Sequence, residues 1–254
     1  MKLFASDYDG TLYKNREITD YDLGMIQRFR EEGHKFGIVT GRTIDSILFE
    51  INKHNIPYDF VVGINGGVVL TKDHEELFVS ELSQNVAEAV METLQDERVL
   101  YYGVNDGYGM SRVHVDAEDN ETEFNIKLST LDELKVRGFK AMYVRSKSDE
   151  HAYQVASKIN EMYNDYGIEA YPNTSAVDIG CRDVSKSTGI QHILDHLGYT
   201  KDQVYTVGDA HNDAPMLVDY TSFVMSNGVD AVKKYANQVV DSVGEAIALT
   251  LEKY

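Results

Sequence analysis

Basic residues are scarce in this chain: 24 lysines and arginines stand against 42 aspartates and glutamates among 254 residues, a formal net charge of -18. A surface of that sign repels nucleic acid and anionic lipid, so a general polyanion-binding role is excluded and a phosphate-bearing ligand needs a local positive site. Cysteine is nearly absent. Cys181, the only one, rules out an internal disulfide, fits a reducing compartment and reads as a packing residue, because the sequence offers no partner that would make it a nucleophile. No apolar run reaches membrane-spanning length, and Met1 leads straight into the first apolar stretch without a basic and apolar leader. A cytoplasmic location and no membrane partner are therefore expected. Three prolines, no internal repeat and no low-complexity linker leave little to mark domain boundaries.

What is present is an ordinary globular composition, 43% hydrophobic and 26% charged, in a chain long enough for one large domain or a core carrying an insertion. Lys2 to Ser6 reads as a buried strand, and Asp7 and Asp9 stand at its carboxyl end. Two carboxylates at that spacing, ~5 Å apart at an effective dielectric of ~20, repel by roughly 3 kcal/mol. A cation is needed there, and magnesium is the natural candidate. Gly10 allows the backbone to turn at once, and Thr11 offers a hydroxyl to tie the loop back to itself.

Strands then alternate with helices. Thr19 is the expected N-cap of a helix over residues 19 to 32, stopped at Gly33; Lys35 to Val39 is a strand ending in Thr40, Gly41 and Arg42; Ile44, Ile47, Leu48 and Ile51 mark a second helix; and Asp59 to Ile64 is a third strand, closing in Asn65, Gly66 and Gly67. This pattern predicts a parallel, doubly wound sheet, whose ligands bind at strand carboxyl ends near a switch point. From about residue 83 the alternation lapses. A helix at Asn85 to Asp96, strands at Val99 to Val104 and Met110 to Val115, an acidic run over 116 to 123 read as a solvated hairpin tip, a strand at Phe139 to Arg145, a helix at His151 to Tyr166 and two further strands predict a separate α/β domain over 83–182. The core is then 1–82 and 183–254. In its last part Lys186 opens a helix that ends at Gly198, and the strand Gln203 to Val207 ends in G-D-A-H-N-D at Gly208 to Asp213. A threonine, a lysine and two acidic pairs thus fall at strand ends of one sheet edge, where a metal and phosphate site would be built. His192 and His196 share a helix face that reads as solvated rather than as a zinc site.

These segments together resemble a haloacid dehalogenase superfamily phosphatase of the Cof-like group, with an inserted α/β cap of the C2B type. D-Y-D-G-T at 7 to 11, T-G-R at 40 to 42, Lys186, and G-D-A-H-N-D at 208 to 213 match its four motifs in order, and F-V-M-S-N-G at 223 to 228 is similar to the segment that closes its site. Two departures stand out: Ser187 follows the lysine where glycine is usual, and Ser226 and Gly228 replace a common glycine and alanine. The fold implied is a Rossmann-like parallel-sheet core with the cap inserted, and the activity is magnesium-dependent hydrolysis of a small phosphorylated metabolite such as a sugar phosphate or phosphorylated cofactor. Asp7 is then the nucleophile that becomes an aspartyl phosphate, and Asp9 the general acid and base. Mg2+ would be held by the Asp7 carboxylate, the Asp9 backbone carbonyl and Asp209. Thr40, through hydroxyl and backbone N–H, and Lys186 would hold the phosphoryl oxygens, with Gly10, Gly41, Arg42 and Asn212 as further phosphate-binding positions. Asp213 would orient Lys186, and His211 would line the site. Arg42 is equally readable as a helix cap. Tyr101, Tyr102, Tyr108 and Arg112 of the cap could contact substrate or simply pack. The competing readings are a phosphosugar mutase of the same superfamily and a non-catalytic phosphate-binding or phospho-acceptor protein.

Overall fold

The computed structural model of the chain describes residues 1–95, 98–114 and 128–253. In chain order its elements are β1 (Leu3–Ser6), α1 (Asp20–Glu31), β2 (Lys35–Val39), α2 (Ile44–His54), β3 (Phe60–Gly63), β4 (Val68–Thr71), β5 (Glu76–Val79), α3 (Gln84–Thr93), β6 (Val99–Asn105), β7 (Val113–His114), α4 (Leu131–Arg137), β8 (Ala141–Ser146), α5 (Asp149–Tyr163), β9 (Ile168–Asn173), β10 (Ala176–Cys181), α6 (Lys186–Leu197), β11 (Val204–Gly208), α7 (Ala214–Asp219), β12 (Thr221–Met225), α8 (Asp230–Lys233), β13 (Gln238–Val240) and α9 (Val243–Lys253). They group into two compact units, one of Met1–Thr40, Ile47–Phe78 and Ser185–Tyr254, the other of Gly41–Ser46 and Val79–Val184.

The first unit is built on an eight-stranded sheet in the order β13-β12-β11-β1-β2-β3-β4-β5. β1 pairs in parallel with both β11 and β2, and the parallel ladder extends to β13 on one side and β3 on the other. Strand order therefore runs outward in opposite directions from the middle, and the switch point falls between β1 and β11. β1 is buried along its whole length, as a central parallel strand must be, and its alternation feeds two faces. Phe4 meets Phe29 of α1 edge-on at 6.0 Å and lies near-parallel to Phe36 and Phe223 at 6.2 and 6.3 Å. Leu3 and Ala5 join Ile190, Ile193 and Leu194 of α6 in a second cluster. Thr19 caps α1 by accepting the Asp22 N–H, and Asp22 in turn accepts the Gly244 N–H at 2.6 Å, fastening α1 to the start of α9.

Two features of this unit differ from the sequence expectation. β4 runs antiparallel to β3 and continues into β5, so the sheet is mixed at one edge; a short apolar run does not specify the direction of its neighbour. Helices α7 and α8, of six and four residues, are too short to show a helical period. The second unit is a five-stranded sheet, β7-β6-β8-β10-β9, whose pairings are antiparallel. Its own core joins Val104, Met142, Val144, Val177 and Ile179 to Val90 of α3, Leu134 of α4 and Ile159 of α5. Cys181 packs against that core and its thiol donates to the Glu81 carbonyl at 3.4 Å. Of the strand expected over Met110 to Val115, the described residues place Val113–His114 in β7, while Met110 makes isolated bridges to Asn105 and Leu128; Val115 lies outside the described residues. Asp106 accepts the N–H groups of Tyr108 and Gly109, turning the chain there instead of extending it. The acidic run over 116 to 123 lies outside the described residues. Among the described residues no helix is long and apolar enough to cross a membrane.

Candidate active site

The site grows from the carboxyl ends of β1 and β11, beside the switch point. Asp7 continues the β1 ladder by donating its N–H to the Val207 carbonyl at 3.0 Å, which fixes its backbone, and it is 5% exposed. The chain then doubles back within a few residues: Tyr13 donates to Tyr8, Gly10 donates to Tyr13, and Gly10 adopts φ +84°. That conformation suits glycine, and the space demands it too, since a Cβ there would lie 2.5 Å from Asp209 Oδ2. Asp9 is exposed on this loop. Thr11 does not tie the loop to itself as expected; its hydroxyl donates to Asp209 Oδ1 at 2.9 Å, 198 residues away.

β11 ends in a second turn, whose organiser is Asp213. This residue is fully buried, and its Oδ2 accepts the N–H groups of Asp209 and Ala210 at 2.8 and 2.9 Å. Its Oδ1 accepts Lys186 Nζ at 2.5 Å, and the same ammonium donates to Asp7 Oδ1 at 2.7 Å. Lys186 is the first residue of α6. Ser185 caps that helix in a reciprocal box with Thr188, which sets the direction in which the lysine leaves the helix. Ser187 has a definite partner: its hydroxyl donates to the Asp219 carboxylate at the end of α7, and Tyr220 Oη donates to its carbonyl at 3.1 Å. The segment after β12 closes against the same loop, with the Val229 N–H donating to the Asp209 carbonyl at 2.8 Å.

Three carboxylates, Asp7, Asp209 and Asp213, offer oxygens within 4.8 Å of one another. One buried ammonium cannot neutralise them. Burial, with the charges of Asp213 and Asp209 added, pushes the Asp7 carboxyl well above the usual range despite Lys186. Burial and then Asp213 raise Asp209 as well. For Lys186 burial works against the charge, but Asp213 and Asp7 outweigh it and hold the ammonium protonated. The donor set fits a hard divalent cation at Asp7 and Asp209. Asp213 suits that role less, because Lys186 and two backbone N–H groups already occupy both its oxygens.

Other expected positions are placed differently. Thr40 is buried at the end of β2, and its N–H donates to the Val62 carbonyl at 2.8 Å, which removes that N–H from the groups expected at phosphate. The Gly10 N–H is likewise engaged with Tyr13 at 3.0 Å. Gly41 and Arg42 belong to the segment Gly41–Ser46 of the second unit. Asn212 donates its side-chain amide to Asn65 Oδ1 at 3.0 Å. The sequence marked Asn65 as a turn residue after the third strand but not its bond to Asn212, because an amide pair 147 residues apart leaves no local pattern. His196 is exposed as expected, whereas His192 stacks on Phe78 with ring centroids 4.2 Å apart. In the second unit the Arg112 guanidinium lies 4.0 Å over the Tyr101 ring, and Tyr102 is buried and accepts from Gln95.

Residues 4–250 match the family described as haloacid dehalogenase-like hydrolases. The chain is 26% identical to the 5-amino-6-(5-phospho-D-ribitylamino)uracil phosphatase YitU of Bacillus subtilis (strain 168), covering 99% of this chain and 97% of that protein. It is 24% identical to the HMP-PP phosphatase of Klebsiella pneumoniae (strain 342), over 91% and 86% of the two chains. Among solved structures, a haloacid dehalogenase-like hydrolase from B. subtilis superposes with a TM-score of 0.81 at 18% identity, covering 100% of both chains.

Proposed function

The chain belongs to the haloacid dehalogenase-like hydrolases and is a phosphatase, and from that premise we propose that it hydrolyses small phosphorylated metabolites through a covalent aspartyl phosphate on Asp7, with magnesium. The observation that carries the reading is the buried chain Asp7–Lys186–Asp213, at 2.7 and 2.5 Å. It holds a carboxylate nucleophile in one orientation on a rigid strand end and keeps an ammonium beside it for the phosphoryl charge.

In this reading an Asp7 oxygen attacks phosphorus as the ester P–O bond breaks, and the exposed Asp9 carboxyl gives its proton to the leaving oxygen. Asp9, now a carboxylate, takes a proton from a water whose oxygen attacks phosphorus; the Asp7–phosphorus bond breaks, and phosphate leaves. The Thr40 hydroxyl and Lys186 Nζ hold phosphoryl oxygens, while Asp213 keeps Lys186 extended toward Asp7. Asp7 and Asp209, with the Asp9 backbone carbonyl, would hold Mg2+, which when bound supplies the positive charge that three clustered carboxylates lack. Substrate choice is assigned to the second unit, which holds its own sheet and core.

The test is phosphate release from p-nitrophenyl phosphate near neutral pH, with magnesium and with chelator, for the wild type and Asp7→Asn. Metal-dependent turnover that falls by about a thousandfold or more in the variant is expected. Full turnover by Asp7→Asn overturns the covalent mechanism, and an inert, folded, metal-supplied wild type overturns the phosphatase reading.

A further inference from the structure

The turn after β3 is strained and is held by segments that carry site residues. Ile64 and Asn65 both adopt positive φ, +42° and +56°, ahead of Gly66 at +107°. A β-branched residue in the left-handed region is a genuine outlier, and such conformations persist only where the surroundings over-determine them. Here three segments do so. The Asn65 N–H donates to the Thr40 carbonyl at 2.9 Å; its Oδ1 accepts Asn212 Nδ2 at 3.0 Å; and Gly66 packs so closely on α6 that a Cβ would lie 2.1 Å from the Ser185 carbonyl oxygen. Asn212 Oδ1 is buried without a hydrogen-bond partner, which leaves the bond to Asn65 to orient that amide.

We propose that Asn65 is a positioning residue: from one strained turn it locks the loop carrying Asp209 and Asp213 to the chain end carrying Thr40, and so sets both against Asp7. Its backbone acts on the segment ending in Thr40 and its side chain on the loop carrying Asn212. The reason for asparagine is physical, since it tolerates the left-handed backbone and also supplies the acceptor that Asn212 needs.

The kinetic arm of the test rests on the phosphatase reading; the metal-binding arm does not. Asn65→Gly keeps the left-handed backbone and removes only the amide. Its kcat for p-nitrophenyl phosphate is expected to fall about tenfold with KM within about twofold of wild type, because a small misplacement of fixed groups costs rate more than binding. Affinity for Mn2+ alone, read by electron paramagnetic resonance, should fall about fivefold in Asn65→Gly and equally in Asn212→Ala, which leaves the strained turn untouched. The double variant should lose no more than Asn212→Ala alone. Wild-type Mn2+ affinity in Asn212→Ala, or losses that multiply in the double variant, overturns the proposal. An inert wild type removes the phosphatase reading, and the Mn2+ arm then decides the role of Asn65 by itself.

Discussion

At the scale of single residues the site depends on a few atoms without slack. Gly10 is the sharpest case, because its side-chain hydrogen occupies the space beside Asp209 and its φ of +84° disfavours any Cβ. Gly10→Ala is expected to displace the Asp209 carboxylate and raise the magnesium concentration for half-maximal activity by about tenfold, while the stability read from a urea melt falls by about 1–3 kcal/mol. A magnesium titration followed by a urea melt checks both. Much of the cluster was legible beforehand, because Asp7, Lys186, Asp209 and Asp213 each follow a strand or open a helix, and strand ends of one parallel sheet converge. Whatever depended on which atom bonds which was not legible. The amides of Gly10 and Thr40 are engaged by their own loop and sheet, Thr11 bonds Asp209, and Ser187 bonds Asp219. Such pairings between distant segments leave no trace in local spacing.

At the scale of elements, Asp59 is the staple of the sheet's far end. It stands just before β3, accepts Arg30 of α1 at 2.8 and 3.2 Å, Lys35 of β2 at 3.2 Å and the Phe36 N–H at 3.1 Å, and so ties three elements with one carboxylate. Burial would raise its pKa, but the Arg30 and Phe36 hydrogen bonds and the neighbouring charges outweigh that and hold it below the ordinary 3.8. A depressed carboxylate stabilises the fold at all pH values well above 3.8, and that contribution is lost as pH falls through the lower folded-state value. Asp59→Asn should therefore cost about 1–3 kcal/mol near neutrality, and the difference from wild type should shrink in melts taken at progressively lower pH below 3.8. A loss that persists unchanged in acid would locate the effect elsewhere. Helices α1, α2, α3, α5 and α6 were legible from capping and apolar spacing, with Thr19, Gly33 and Gly198 punctuating as their chemistry requires. α4, α7, α8 and α9 and the strands β4, β5, β12 and β13 were not: α7 and α8 complete barely one or two helical turns, and β4 and β5 lie outside the alternation of strand and helix.

At the scale of the whole molecule the excess of 42 acidic over 24 basic residues sets the background field. Self-repulsion at a net charge of -18 opposes compaction, and added salt screens it over a Debye length of ~10 Å at 0.1 M. The melting temperature should accordingly rise as sodium chloride increases from about 10 to 150 mM, measured by calorimetry in chelated buffer; a fall would show that attractive surface pairs dominate instead. The class of fold was legible at this scale because a doubly wound sheet announces itself by alternation. The mixed edge of the sheet was not, since nothing in a short apolar run specifies whether its neighbour is parallel.

The central position of β1 has a consequence for the newborn protein. On the ribosome Asp7 is made well before β11, so β1 gains its second sheet neighbour only when β11 has been made, and the ammonium and carboxylate that flank Asp7 come from residues 186 and 213. At ~5–20 residues per second, translation leaves that carboxylate without its partners for roughly 10–40 s. The cluster around Asp7 is therefore completed late, as β11 and the elements after it join a half-built sheet, so that a product truncated before residue 186 carries Asp7 without the ammonium and carboxylate that flank it.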